Sequence, residues 1–370
     1  MQKTFQTLSV PQRILMGPGP SNVSQEVLTA LSLPVIGHLD PVFLDIMEEV
    51  QQMLRSVFVT ANRFTIPVSG TGSAGMETAL VNNIENGDEA LVCVNGVFGN
   101  RMCDIVERCN GTLKKIEAEW GTPFQPEQIE KALEGFPAKV VAIVHAETST
   151  GVLQPLEEIS KIVHEHRALL LVDAVTSLGG APVLADEWNI DICYSGTQKC
   201  LSCPPGLAPI TFSEKSIKKI KNRKTKVQSW YLDMTMIEKY WGPERVYHHT
   251  APINMIYALR ESLRVVLEEG LENRWKKHRN LSMALVAGLE RLGMEMLVEE
   301  RYRTPMLNAV KIPDGVDDAA VRMRLLNEYN IEIGSGLGPL KGKIWRIGLM
   351  GHSCTKENVE RVLSALKEIL

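Results

Sequence analysis

Short apolar runs alternate with amphipathic stretches between about residues 60 and 215. Four of the runs are short, rich in β-branched residues and bounded by Gly or polar positions: "EALVCVNG" (89–96), "KVVAIVHAE" (139–147), "ALLLVDAV" (168–175) and "IDICYSG" (190–196). These features predict buried parallel strands. Helical patterns lie between them, such as "NRMCDIVERCNG", which ends at Gly111, and "PEQIEKALEGF", which begins at Pro126. The alternation predicts an α/β domain with a mostly parallel sheet.

The pattern changes after residue 250, where helical apolar spacing predicts one or two long helices. Two strand candidates follow, "LNAVKI" and "KIWRIGLM", which indicates a smaller α+β unit. We therefore expect an N-terminal arm over residues 1–22, a large domain over 23–270 and a small C-terminal domain over 271–370. The chain has 370 residues, 44% of them apolar, which is enough for two such cores.

Charge and cysteine usage exclude several classes of protein. Lys and Arg number 40 against 44 Asp and Glu, so the net charge of −4 gives no general attraction to nucleic acid or anionic membrane. The basic segment 215–226 lacks interleaved aromatic residues and is interpreted as a solvated helix and loop. No apolar run approaches the ~18 residues of a membrane span. Seven scattered cysteines favour reduced thiols, so we expect a cytoplasmic enzyme.

The stretch "SGTGSAGMETAL" (69–80) contains the spacing Gly70-x-Gly72-x-x-Gly75, which is typical of dinucleotide binding. That function also requires an acidic residue at the end of the next strand, whereas Asp88 and Glu89 precede it. The dinucleotide interpretation is therefore disfavoured. A glycine loop that opens a helix still suits a phosphate, because its backbone N–H groups are accessible. A plain turn remains the alternative.

Thr148, Asp173 and Lys199 fall at or just beyond the carboxyl ends of predicted strands, where α/β sheets bind ligands. A buried carboxylate such as Asp173 requires a partner. A pyridine cofactor with a phosphate arm needs a lysine for a Schiff base, an acid for the ring nitrogen and a phosphate loop, and pyridoxal 5′-phosphate (PLP) fits all three. Cys200-x-x-Cys203 lacks a second ligand pair at zinc spacing, so no metal site is expected.

The sequence resembles the class V aminotransferases, and most closely the alanine–glyoxylate and serine–pyruvate aminotransferases. The matching stretches run almost from end to end: "GPGPSN" (17–22), "SGTGSAGME" (69–77), "VNGVFGNR" (94–101), "TSTGVLQPL" (148–156), "LLLVDAVTSLGG" (170–180), "YSGTQKCLSCPPG" (194–206), "RVYHHTAP" (245–252), "GLEN" (270–273) and "WRIGLMG" (345–351). The resemblance implies the aspartate-aminotransferase fold, which is PLP-dependent transferase fold type I. Its large domain has a mostly parallel seven-stranded sheet, and its small C-terminal domain is α+β.

The resemblance also implies roles for individual residues in holding PLP. Lys199 would carry the internal aldimine and move the proton between Cα and C4′, while Asp173 would pair with the pyridinium nitrogen. Phe98 would stack on the ring, where relatives often have Trp, and Thr148 would reach the 3′-oxygen, where many relatives use Ser. Four residues would bind the phosphate: Thr71, Gly72, Ser73 and Gln198.

Substrate binding and assembly follow from the same resemblance. Arg346 would fork onto the substrate carboxylate, a geometry for which Arg is better suited than Lys. The segment with Gly37 and His38 aligns with one that lines the substrate pocket. Tyr247 and Thr250 would reach the phosphate of the neighbouring subunit, so a homodimer with shared active sites is expected.

The implied reaction moves an amino group from alanine or serine to glyoxylate or pyruvate by a ping-pong mechanism. A 3-hydroxykynurenine-type transaminase is an alternative, since close relatives use that substrate. A PLP lyase or desulfurase is another, although a desulfurase would need a mobile cysteine near residues 320–350, and the nearby Cys354 follows the "WRIGLMG" strand. A binding protein without turnover is disfavoured by the presence of Lys199, Asp173 and Arg346 together.

Overall fold

A seven-stranded sheet forms the centre of the larger part of the molecule in this computed structural model, which describes residues 5–370. Its strands are β1 (Phe64–Ser69), β2 (Glu89–Val94), β3 (Thr112–Glu117), β4 (Val140–Val144), β5 (Leu169–Asp173), β6 (Ile192–Tyr194) and β7 (Leu207–Phe212). The spatial order is β1-β7-β6-β5-β4-β2-β3, and only the β7 pairings are antiparallel. The predicted mostly parallel sheet is confirmed.

The four apolar runs singled out in the sequence are β2, β4, β5 and β6. All five residues of β4 and all six of β7 are buried, which explains why these strands are continuously apolar instead of alternating. Asp173, the last residue of β5, lies in register with Tyr194, the last residue of β6. The sheet therefore brings these two polar side chains together at its carboxyl edge.

Within the described residues, the large part has nine helices: α1 (Gln25–Leu31), α2 (Pro41–Phe58), α3 (Gly72–Asn83), α4 (Val97–Arg108), α5 (Pro126–Leu133), α6 (Glu157–Glu165), α7 (Glu214–Lys221), α8 (Met234–Trp241) and α9 (Ile253–Glu269). The basic segment 215–226 is α7 and the loop after it, as predicted. Two of its lysines pair with acidic residues, Lys219 with Asp88 and Lys221 with Glu238.

The C-terminal part is a three-stranded antiparallel sheet packed with helices. Its helices are α10 (Leu271–Arg291), α11 (Asp318–Glu328) and α12 (Lys356–Ile369), and its strands are β8 (Leu307–Lys311), β9 (Gly334–Ser335) and β10 (Ile344–Gly348). Three 3₁₀ turns occupy Glu300–Tyr302, Gly338–Leu340 and Gly351–Ser353. Two-residue strands pair Ile14–Leu15 with Ile331–Glu332 and Ala146–Glu147 with Val152–Leu153.

Two main groups of buried apolar side chains divide the molecule. One runs from Val27 to Val266, and the other joins Met16 to buried positions between Leu285 and Leu366. This separation supports a domain boundary near residue 270, which we retain as a proposal. Within residues 5–370, no helix combines the length and apolar character needed to cross a bilayer.

Candidate active site

Lys199 lies in the loop after β6 and is only 9% exposed. Its ammonium Nζ donates a hydrogen bond to the Pro18 carbonyl oxygen, and no carboxylate of residues 5–370 lies within ion-pair distance of it. Burial lowers the pKa of Lys199 to about 8, and the nearby charge of Arg346 acts in the same direction. Gly19 has φ +100°, and a side chain there would overlap Lys199. The N-terminal segment thus encloses an amine that is unusually easy to deprotonate.

A buried arginine fixes the backbone on the far side of Lys199. Arg274 donates from Nε to the Gly179 carbonyl (2.9 Å) and from Nη2 to the Cys200 carbonyl (2.5 Å), and it is ion-paired with Glu269. Ser202 has φ +57°, and its hydroxyl accepts the His352 amide at 2.7 Å. These bonds leave the peptide groups that follow Lys199 little freedom.

His278 connects α10 to the turn that follows β10. Its Nε2 accepts the Gly351 amide (3.0 Å), so its Nδ1 carries the proton and donates to the Arg274 carbonyl (2.8 Å). Burial lowers the pKa of His278 to about 3, which agrees with a neutral ring. This histidine therefore has a structural hydrogen-bonding role and is not poised to exchange protons near neutral pH.

Asp173 is 3% exposed and has two neutral hydrogen-bond donors. Oδ1 accepts the Val175 amide (2.8 Å) and Oδ2 accepts the Tyr194 hydroxyl (2.6 Å). Burial raises the pKa of Asp173 to about 6, although both hydrogen bonds oppose that change. No cationic nitrogen of residues 5–370 pairs with it directly, and a carboxylate can accept more than two bonds, so Asp173 retains capacity for a further donor.

The glycine loop opens helix α3, as expected from the sequence. Thr71 is the N-cap residue, and its side chain makes no capping hydrogen bond within the described chain. The Ala74 amide donates to the Thr71 carbonyl (2.7 Å), but the Gly72 and Ser73 amides have no acceptor within residues 5–370 and are therefore available to an external one. Gln198 lies nearby, since a side chain on Gly196 would meet both its Oε1 atom and Gly72. That Oε1 atom is fully buried and lacks a hydrogen-bond partner among residues 5–370.

Arg346 brings the C-terminal part of the chain to the same site. It lies in β10, is 7% exposed, and donates from Nε to the Ser335 carbonyl (2.7 Å). Its Nη1 atom donates to the Thr148 carbonyl at 3.1 Å. This hydrogen bond joins the three-stranded sheet of the C-terminal part to the large part of the molecule. Burial lowers the pKa of Arg346 to about 10, so it remains a cation at neutral pH.

Phe98 lies in the first turn of α4 and is half-buried, with the Arg101 guanidinium 4.9 Å from its ring centroid. Its amide donates to the buried carboxylate of Glu147 at 3.2 Å. Thr148 is buried beside Glu147. The aromatic ring and the Arg346 contact are thus linked to one short segment, residues 147–149.

Four of the predicted residues form a separate group near the surface. Tyr247 is 56% exposed, its hydroxyl lies 3.4 Å from the exposed Thr250 hydroxyl, and its ring centroid lies 5.1 Å from that of His38. Gly37 is exposed beside His38. Within residues 5–370 no hydrogen bond joins this group to Lys199, Asp173 or Arg346.

Comparison with known proteins identifies the family of the chain. The family model described as aminotransferase class-V matches residues 16–362. The chain belongs to the class-V aminotransferases. It is 43% identical to the (S)-ureidoglycine–glyoxylate transaminase of Bacillus subtilis, over 98% of this chain and 92% of that one. It is also 43% identical to the alanine–glyoxylate aminotransferase of Rattus norvegicus, over 98% and 89%.

A solved structure supports the same family. The alanine–glyoxylate aminotransferase of a Nostoc species superposes with a TM-score of 0.98 at 50% identity, covering 99% of this chain and 97% of that one. The predicted fold type I architecture and the transaminase class are therefore confirmed. The match also counts against a binding protein without turnover, which the sequence already disfavoured.

The sequence did not single out three buried residues that contact this candidate site or its backbone: Tyr194, Glu147 and Arg274. Tyr194 ends the strand beside that of Asp173, and Glu147 ends the predicted strand segment 139–147, so both carried a detectable signal. Arg274 lies within an ordinary amphipathic helix, where nothing in the local pattern marks it as buried.

Proposed function

We propose that this class-V aminotransferase uses PLP to move an amino group from a small amino acid, alanine or serine, to glyoxylate or pyruvate. One observation carries the proposal: Lys199, Asp173 and Arg346 are buried together from two parts of the chain, and each lacks an ion-pair partner within residues 5–370. Unpaired buried charges are costly, so their retention in one place favours a ligand that completes them.

The residues suit PLP in four respects. The Gln198 side-chain amide lies beside the α3 amides, and its buried Oε1 atom has no donor within residues 5–370; turning the amide over would place its Nε2 donor there, which supports a role for Thr71, Gly72, Ser73 and Gln198 in holding a phosphate. Asp173 has capacity for one more donor, as a protonated ring nitrogen requires. Phe98 offers an apolar face, and Thr148 a hydroxyl for the 3′-oxygen. No metal is part of the proposal.

Bound PLP would supply an electron sink for the bonds at the substrate Cα. Arg346 would bind the α-carboxylate through two parallel charge-assisted hydrogen bonds, which orients Cα. Lys199, with its pKa lowered to about 8, would take the Cα proton and return it at C4′. Gly19 and Pro18 would help to exclude water from that transfer.

Glyoxylate is the acceptor we favour, because the names of both curated relatives include it while their donors differ. A ureido-substituted glycine and 3-hydroxykynurenine are the donors to compare with alanine and serine. A desulfurase is not supported, since Cys354 is 1% exposed and burial raises the pKa of its thiol to about 12.

We further propose a cytoplasmic homodimer that shares its active sites. The argument for the homodimer rests on the exposed group of Tyr247, Thr250, His38 and Gly37, and on large apolar side chains that are exposed in the single chain. Those apolar side chains include Val35 (71%), Val42 (60%) and Trp230 (62%). Exposed apolar surface of this kind is typical of protein interfaces. Nothing in the composition indicates a nucleic-acid or membrane partner.

The test is to incubate the purified protein with PLP and record its visible absorption spectrum. A band that borohydride removes, with the cofactor then fixed to the peptide containing Lys199, is expected. A panel of donors and acceptors should next give the highest kcat/KM with a small donor and glyoxylate. Absence of the band would refute the cofactor assignment, and a preference for bulky aromatic donors would refute the substrate assignment.

A further inference from the structure

Glu147 is a buried carboxylate that the proposed reaction does not use. It is fully buried, and no cation of residues 5–370 is within ion-pair distance of it. Three donors converge on it: the Ser149 amide (2.9 Å) and Ser149 hydroxyl (2.6 Å) on Oε1, and the Phe98 amide (3.2 Å) on Oε2. Burial raises the pKa of Glu147, and these bonds oppose that rise. Both oxygens are thus occupied by local donors.

Those donors place Glu147 at the start of helix α4. The N-cap residue of α4 is Gly96, which has no side chain to cap the helix. The first two amides of α4 are instead satisfied from residues 147–149, because the Val97 amide donates to Ser149 Oγ (3.0 Å) and the Phe98 amide to Glu147. A negative charge at this end also complements the helix dipole.

Gly96 is required by the same arrangement. A Cβ atom on Gly96 would overlap the Glu147 carboxyl group and the Ser149 hydroxyl. The backbone of Gly96 is extended, so the constraint is steric and does not arise from an unusual φ. The helix start and the carboxylate are therefore in direct contact, with no room for a conventional capping side chain.

We infer that Glu147 is a positioning residue, which caps α4 from a neighbouring segment and thereby holds the Phe98 ring in place. The consequence for PLP rests on the proposed function, whereas the capping itself does not. The adjacent Thr148 carbonyl accepts Arg346, so the same short segment also links the ring to the substrate-carboxylate site. This capping needs both carboxylate oxygens, because Oε1 accepts from Ser149 and Oε2 accepts from Phe98. An amide has one acceptor oxygen and would present N–H groups to either Phe98 or Ser149.

The first experiment needs no cofactor. Hydrogen exchange of the peptide covering residues 97–102 should be about tenfold faster in E147Q than in the wild-type protein, because one capping bond to a charged group is lost. The control is E158Q, which changes an exposed glutamate in the first turn of α6 and should exchange like the wild type. Unchanged exchange in E147Q would overturn the inference.

The second experiment asks whether Glu147 acts through Phe98. E147Q should weaken PLP binding by about tenfold and reduce the visible circular dichroism of bound PLP. In an F98L background the same substitution should have little further effect, because the ring that it positions is gone. Additive losses would overturn the inference.

A third variant, S149A, tests the capping of α4 even if E147Q does not fold. S149A removes the hydroxyl that accepts the Val97 amide and leaves the carboxylate intact, so a smaller, several-fold increase in exchange confined to the start of α4 is expected. No increase would count against capping from this segment. If the wild-type protein shows no PLP band, the proposed function fails, while the exchange data still decide whether Glu147 caps α4.

Discussion

The candidate site has a buried half and an exposed half, which differ in how their side chains are held. The buried half is Lys199, Asp173 and Arg346, and the exposed half is the surface group around Tyr247 and Thr250. Lys199, Asp173 and Arg346 are 9%, 3% and 7% exposed, and each is hydrogen-bonded to a residue distant in the chain or on the neighbouring strand. Tyr247 is 56% exposed, and within residues 5–370 its hydroxyl has a single hydrogen-bond contact, 3.4 Å from the Thr250 hydroxyl. One chain therefore suffices to build the buried half, whereas the exposed half has an open side. We propose that a second subunit covers it.

Substitution of Lys199 tests the buried half most severely. K199A should lose nearly all transamination, because Lys199 is both the proposed base at Cα and the proposed point of covalent attachment of PLP. PLP should still bind weakly through the phosphate loop, without the borohydride-sensitive linkage. Turnover and the visible spectrum measure the two effects. K161A, which changes an exposed lysine on α6, is the control, and near-normal turnover in K199A would refute the assignment.

D173N should reduce turnover by about a hundredfold, and more than it weakens PLP binding, because an amide cannot keep the ring nitrogen protonated. The wild-type protein should also bind PLP less tightly as the pH falls through about 6, since Asp173 then becomes protonated and loses its charge. D173N should lack this loss of affinity at low pH. The loss can therefore be distinguished from titration of the cofactor phosphate, which D173N leaves unchanged. Wild-type rates in D173N would mean that the ring nitrogen has another partner.

Arg346 tests whether the two parts of the chain meet at the substrate carboxylate. R346K should lower kcat/KM about tenfold to a hundredfold, because a guanidinium gives two parallel bonds to a carboxylate and an ammonium gives a point contact. The loss should be similar for alanine, serine, glyoxylate and pyruvate, which share that group, and PLP content should barely change. A defect limited to one substrate would place Arg346 at a side-chain pocket.

Asp173 and Lys199 could be singled out from the sequence because each follows a recognisable apolar strand. Arg346 lies inside a strand candidate, and its role came only from the resemblance to class V aminotransferases. The contacts between these elements were not predictable in the same way. The Pro18 carbonyl reaches Lys199 from 181 positions away, and Arg346 reaches Thr148 from 198 positions away, distances over which no local periodicity carries information.

The exposed half had no signal of its own in the sequence, because Tyr247 and Thr250 occur in a segment without helical or strand periodicity. Their roles come from resemblance alone and stay predictions. Arg274 shows the opposite failure. Its environment is well defined in the structure, yet a single arginine in an amphipathic helix is interpreted as solvent-exposed until the surrounding chain is placed.

The smallest effects are expected from the exposed half, and they depend on protein concentration. Y247F and T250A should each weaken PLP retention about twofold to tenfold, the range for a single neutral hydrogen bond. Diluting the wild-type protein below its dimer dissociation range should reproduce that loss, because the proposed partner surface is then removed by mass action. Y302F, which changes a tyrosine of the C-terminal part, is the matched control and should retain PLP normally at every concentration. PLP release during gel filtration, followed by light scattering on the same fractions, measures both quantities. A fully active monomer that retains PLP would show that one chain completes the site, and the distinction between the two halves would then be one of exposure only.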